Sequence, residues 1–196
     1  MAQTSTTLIS AKSHITSITG TDISLSATSG VYTISATSTV LTGAGKLAVG
    51  DLITVSGSAS NNSTFTVLTV VSTLEITVAE VVTSENADGS STITLDHVGF
   101  VSDKAKGDGY YSQPDGVHTV AYQVANDFNA DATIKMQGTL ATTPTEDDWF
   151  DISGTTFTSD TSTLTSSFNF TGNYVWVRSK TQLLTAGTTN SILLNS

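Results

Sequence analysis

Hydrophobic residues alternate with Ser and Thr along nearly the whole chain, and an apolar repeat at helical spacing is almost absent. A period of two puts successive side chains on opposite faces of a strand, so this pattern predicts short β-strands. In the first half they are expected at residues 8–10, 14–18, 22–26, 32–36, 51–56, 65–71, 73–78 and 92–95. The turns between them are Ser29-Gly30, residues 57–63 and residues 85–91, with a hairpin around Ser72-Thr73. ISLSATSG (23–30) and YTISATST (32–39) read as two copies of one strand and turn. In the second half strands are expected at 117–124, 132–140, 149–152, 168–170, 174–180 and 191–194, with turns at 126–131, 142–148 and 159–163.

Strands this short, with a turn every 8–15 residues, predict an all-β fold of small antiparallel sandwiches or barrels. The break in periodicity at VSDKAKGDGYYSQP, with its Gly, Pro and charges, divides the chain. Two domains in tandem are expected: 1–100, with a possible N-terminal arm at 1–13, and a β-sandwich at 117–196, joined by a linker at 101–116.

Composition narrows the chemistry. About a third of the residues are Ser or Thr, suited to pleated surfaces and turns. Seven Lys and Arg stand against seventeen Asp and Glu, a net charge of −10 shared equally by the two halves. Nucleic-acid phosphates and anionic membranes need clustered cations, so neither is an expected partner. The absence of Cys removes disulfides, thiolate metal sites and Cys nucleophiles. The opening MAQTSTTLISAKSH lacks a basic start followed by an apolar run, so synthesis in a cytoplasm is expected.

Candidate chemistry is sparse. His14, His97 and His118 lie far apart without metal-ligand spacing, and each is read as structural or solvated. Glu146, Asp147, Asp148 and Asp151 form the densest acidic group. Asp147, Asp148 and Asp151 could offer oxygen ligands to Ca²⁺, but the spacing is not that of a calcium loop, so a solvated turn is the reading. No GxSxG, GxxxxGK[ST] or GxGxxG is present, and no catalytic, cofactor-binding or metal site is assigned. Asn61-Asn62-Ser63-Thr64 and Asn169-Phe170-Thr171 match the glycosylation pattern by composition. Trp149, Phe150, Phe168, Phe170, Tyr174 and Trp176 crowd into one stretch. Trp149, Phe168, Phe170 and one face of 174–178 are expected in the core, the alternative being a sugar-stacking platform.

Two segments resemble known proteins. DLITVSGSASNNSTFTVLTVVSTLEITV (51–78) resembles a small β-domain of bacteriophage virion proteins, with Gly57 and Asn61-Asn62 in the turn and Phe65 and Val67 entering the core. ATIKMQGTLATTPTEDDWFDI (132–152) with FNFTGNYVWVRSKTQLLTAGTTNSILLN (168–195) resembles the C-terminal β-sandwich of tailed-phage structural proteins, particularly cyanophage ones. There "QG(T/S)L", "WFD" and "GNY.WVR" recur; no catalytic residue transfers.

The resemblance implies a non-enzymatic virion structural protein without cofactors. The expectation is a homo-oligomeric capsid decoration (cement) protein, located on the capsid surface. It would bind the major capsid protein or another virion structural protein, with residues 1–13 reaching a neighbour. The alternatives are a neck, tail or fibre component and a glycan-binding receptor module. The last requires Tyr110, Tyr111, Trp149 or Trp176 to face solvent beside polar partners.

Overall fold

The computed structural model describes residues 5–111, 116–159 and 164–195. The chain is all-β with antiparallel sheets, and it divides into two compact units. One unit is Ile15–Phe100; the other combines the residues before Ile15 with those after Phe100. In chain order the strands are β1 (Ser5–Ile9), β2 (Lys12–Ser13), β3 (Ile18–Gly20), β4 (Ile23–Thr28), β5 (Val31–Ala36), β6 (Asp51–Ser56), β7 (Thr64–Ser72), β8 (Glu75–Val78) and β9 (Ile93–Val101). They continue with β10 (Ala105–Lys106), β11 (Val117–Val124), β12 (Thr133–Thr139), β13 (Phe150–Asp151), β14 (Phe157–Thr158), β15 (Thr165–Thr171), β16 (Trp176–Gln182) and β17 (Thr188–Asn195).

In the Ile15–Phe100 unit the pairing order is β3-β9-β6-β7-β8-β5-β4. β7 turns the corner: its first residues pair with β6 and the rest with β8, with register shifts at Leu68 and Val71. Bulges of this kind bend a strand, so the two halves of the path can face one core. Alternate residues Ile23, Leu25, Ile34, Ile53, Val55, Phe65, Val67, Ile76 and Val78 fill it. Each such side chain contributes about 2 kcal/mol on leaving water. The two copies of the sequence repeat pair with each other as the β4–β5 hairpin. Ser29 and Gly30 both have positive φ, 51° and 78°, the geometry whose twist suits a two-residue hairpin.

Carboxylates tie down the loops of this unit. Asp22 Oδ2 accepts from the backbone N–H groups of Thr37 (3.1 Å), Ser38 (2.6 Å) and Thr39 (2.9 Å). Glu85 accepts from Ser58 Oγ (2.6 Å), the Ala59 N–H (2.9 Å) and Asn61 Nδ2 (3.1 Å). Asp88 accepts from the N–H groups of Ser90 (2.8 Å) and Ser91 (2.7 Å). Bonds that favour the ionised form hold all three carboxyls below their ordinary range: Thr39 first at Asp22, the Ser58 hydroxyl at Glu85 and the Ser91 backbone at Asp88.

The other unit is two facing sheets. One runs β1-β17-β11-β15, with β2 also on β17; in the other, β12 lies between β16 and the short β13 and β14, and β10 pairs with β16. Val120, Tyr122, Val124, Ile192 and Leu194 of the first sheet, and Ile134, Met136, Phe157 and Val177 of the second, are buried. Tyr122 crosses the core to donate to the Thr155 carbonyl at 2.9 Å and packs on Phe157 at 6.0 Å. Burial pushes its phenol pKa up, and the bond to Thr155 only partly offsets this.

Several expectations need correction. Residues 5–9 are not an arm reaching a neighbour: they form β1, pairing from Ser5↔Asn195 to Ile9↔Ile192, so the expected 1–100 domain loses its first strand to the second unit. Residues 1–4 of the expected arm lie outside the described residues. The expected strand at 14–18 does not form, because the unit boundary falls between His14 and Ile15. The expected linker 101–116 is partly built into the sandwich, since Ala105 and Lys106 pair with Val177 and Trp176; its residues 112–115, like 160–163 of the expected turn at 159–163, lie outside the described residues. Trp149 is not a core residue but lies in a loop over the outer face of β16; Tyr122, Phe128 and Phe157 fill the core instead. Phe170 is buried as expected, and Phe168 is half-buried.

Two outcomes follow from the loop locks. A Cβ on Gly57 (φ +79°) would lie 2.1 Å from the Thr92 carbonyl oxygen. Gly57→Ala therefore lowers stability by about 2–3 kcal/mol in urea unfolding; an unchanged midpoint would show that the turn relaxes freely. Because the three folded-state carboxyls ionise at lower pH than unfolded ones, their contribution is complete above about pH 4 and is lost as pH falls below it. Asp22→Asn lowers the urea midpoint at neutral pH and makes its acid decline shallower. A decline as steep as that of the parent chain would remove Asp22 from the account.

Candidate functional site

The outer face of the β10–β16–β12–β13 sheet gathers most of the chain's cations. Alternation along β16 sends Val177, Ser179 and Thr181 inward and leaves Trp176, Arg178 and Lys180 on the opposite face. The antiparallel register sets Thr139, Gln137 and Lys135 beside them, and Lys106 beside Trp176 from the other side. With Lys104, five of the chain's seven Lys and Arg residues belong to these strands or their immediate flank.

Arg178 organises the face. Its Nε donates to Gln137 Oε1 at 3.0 Å, and its two terminal nitrogens donate to the Glu146 carboxylate at 2.8 and 2.7 Å. The Trp149 ring lies 4.2 Å from the guanidinium carbon. Gln137 in turn donates to Asp151 Oδ1 at 2.9 Å, and Lys135 donates to Asp151 Oδ2. Trp176 Nε1 donates to the Thr142 carbonyl at 3.0 Å, fixing the near end of the same loop. Tyr174 packs where Gly138 and Gly172 leave room: a Cβ on either would meet its ring at 2.6 or 2.4 Å. Residues of QGTL, WFD and GNYVWVR, distant in sequence, thus meet in one network.

Charge on this face is unevenly satisfied. Burial works against ionised Asp151, but hydrogen bonds from Lys135 and Gln137 outweigh it and keep its carboxyl below the ordinary range. Lys180 is half-buried, and burial, with Arg178 and Lys135 nearby, pulls its amine below the ordinary lysine range.

Next to the network is a more open aromatic group. Tyr110 and Tyr111, in the short 3₁₀ turn Asp108–Tyr111, are 44% and 57% exposed. Tyr110 packs edgewise on Tyr111 (5.2 Å) and tilts toward Trp176 (5.0 Å). Lys106 Nζ lies 4.1 Å from the Tyr110 ring centre, and Lys104 Nζ lies 4.5 Å from that of Trp176. Rings beside cations can stack with flat apolar ligand surfaces while the ammonium groups meet oxygen. The sequence named these aromatics but gave no signal that the two lysines would sit over them.

The remaining candidates are dispersed. Asp148 caps Thr145, Asp151 binds Lys135 and Gln137, and Glu146 binds Arg178, so the acidic run is drawn into separate bonds. Among the described residues no group of three His, Cys, Asp or Glu is placed to hold a metal ion. His97 is buried, accepts the Ile15 N–H at Nδ1 (3.3 Å) and points Nε2 at Asp51 Oδ1, 3.4 Å away. His118 is buried against Phe170 (4.8 Å, stacked), with Asp108 3.9 Å from its Nε2. His14 donates its backbone N–H to the Gly187 carbonyl. Comparison with known proteins finds no matching family model, no matching curated protein and no matching solved structure.

Lysine cannot reproduce the planar fork of Arg178. Arg178→Lys lowers stability by about 2 kcal/mol and shifts Trp emission to the red as Trp149 loses its partner. Unchanged emission and an unchanged urea midpoint would show that the fork does not hold the loop.

Proposed function

We propose that this chain acts by binding rather than by catalysis, as a structural component of a tailed-phage particle. Within that role we assign it to capsid decoration, on the outer surface of the major capsid lattice. The resemblance in residues 51–78, 132–152 and 168–195 motivates the assignment. The observation that carries it is the far half of β7. Leu68, Val70 and Val71 all face solvent there, although the strand belongs to an acidic, Thr-rich chain. Exposed apolar residues grouped on one strand mark a surface that another protein covers. The turn at its end is held by Thr42 Oγ1, which donates to the Ser72 carbonyl (2.8 Å), and by the Leu41 and Ala36 N–H groups, which donate to the Thr73 (2.8 Å) and Leu74 (2.9 Å) carbonyls, so the surface is preorganised and loses little entropy on docking.

The exposed Tyr110 and Tyr111, beside Lys106, favour a second reading as a glycan-binding module. One experiment separates the two. The purified chain is mixed with expanded capsids that lack it, and bound copies are located by cryo-EM. Decoration predicts hundreds of copies at lattice symmetry positions and a loss of occupancy with Val71→Lys. A few copies at the neck or tail, or none, overturn it. Retention on immobilised host polysaccharide that is lost with Tyr111→Ala, with the melting curve unchanged, establishes the second reading.

A further inference from the structure

Sheet edges recruit other strands unless they are short, bulged, charged or covered. Most edges in this chain are blunted in one of these ways. β4 is covered by residues 84–87: Leu25 and Glu85 exchange two backbone hydrogen bonds, the Ala27 N–H reaches Ser84 Oγ and the Ala87 N–H reaches Ser24 Oγ. β12 is bordered by the two-residue β13 and β14, and β1 is interrupted by a register shift at Leu8. β15 has none of these devices. It pairs with β11 through all seven residues, Val117↔Thr171 to Gln123↔Thr165, without a bulge, and among the described residues it has no partner on its other side. Its sequence, TSSFNFT, contains neither charge nor Pro.

The occupant can be argued from charge and from sequence symmetry. None of the chain's seventeen Asp and Glu lies in β1, β2, β11, β15 or β17. Two copies at −10 each repel over most of their surfaces, and this acid-free sheet is where they can approach. β15 is also self-complementary about Phe168. Antiparallel pairing centred there sets Thr165 opposite Thr171 and Ser167 opposite Asn169 on the outer face. On the inner face it sets Phe168 against its own copy. Phe168 packs on Tyr122 (5.6 Å) yet is only half-buried, because it lies on the edge strand. A second β15 covers its open flank.

We propose that β15 is a self-association edge: two copies join antiparallel, β15 to β15, across a two-fold axis at Phe168, forming one continuous sheet. The interface is isologous, so it closes at a dimer rather than growing into a filament.

Sedimentation velocity of the full chain across a dilution series tests this. The expected species has twice the 20.3 kDa chain mass. Ser167→Lys with Asn169→Lys places like charges opposite each other twice, and raises the dimer dissociation constant by about tenfold or more. Ser167→Lys with Asn169→Glu places opposite charges at the same two contacts and restores the dimer. Thermal melts confirm that each variant is folded; should the double-lysine variant not fold, Thr165→Lys with Thr171→Lys, the other opposed pair of the outer face, is read in the same way. A monomeric or trimeric parent chain overturns the proposal. So does a double-lysine variant that remains dimeric, or a folded lysine–glutamate variant that does not recover, since either moves the contact away from this register.

Discussion

The outer face of the second unit depends on one guanidinium. Arg178 stands at a strand position whose neighbours face the core, yet its own side chain is nearly buried under the loop that follows β12. A buried cation left alone is costly; here every nitrogen is engaged, by Gln137 at one end and the Glu146 carboxylate at the other, with Trp149 against its face. The loop is held because the charge must be matched. Trp176, anchored to that loop through Thr142, then provides the wall against which Tyr110 and Lys104 rest. The exposed aromatic group inherits its rigidity from this ion pair.

The Ile15–Phe100 unit solves a related problem with the opposite sign. Its loops are rich in backbone N–H groups that no strand satisfies, and Asp22, Glu85 and Asp88 gather them. Acidic residues that look like a dispersed surface charge in the sequence are therefore acceptors that fix loop shape. That leaves strand faces and edges, rather than charged clusters, as the surfaces able to meet a partner.

Local features were readable from the sequence and distant ones were not. Alternation located β5, β6, β11 and β12 to within a residue or two, and the repeat at 23–39 was readable as two strands with a turn at Ser29-Gly30, because these depend on neighbours in sequence. Phe65 and Val67 entered the core as expected for the same reason. The partner of residues 5–9 could not be read, since LISAK carries no sign that its strand pairs with residues 192–195 rather than with the next strand. Trp149 misled because size and hydrophobicity suggest burial in a core, whereas its cover is a guanidinium that only folding brings near. The lysines above Tyr110 and Trp176 come from a segment without periodicity, where a sequence reading gives no direction to side chains.

The pairing of β1 with β17 has a consequence for the order of events during synthesis. β1 leaves the ribosome with Leu8 and Ile9 uncovered, and the strand that buries them, β17, is made only after β2 to β16. Ile15–Phe100, whose core is built from its own stretch, can fold in the meantime. The sandwich must wait for β17 and close over a long loop, which slows its formation. Until then the nascent chain is a finished domain with an unpaired strand on one side and an incomplete sheet on the other. That interval is when it is most exposed to pairing with the wrong neighbour.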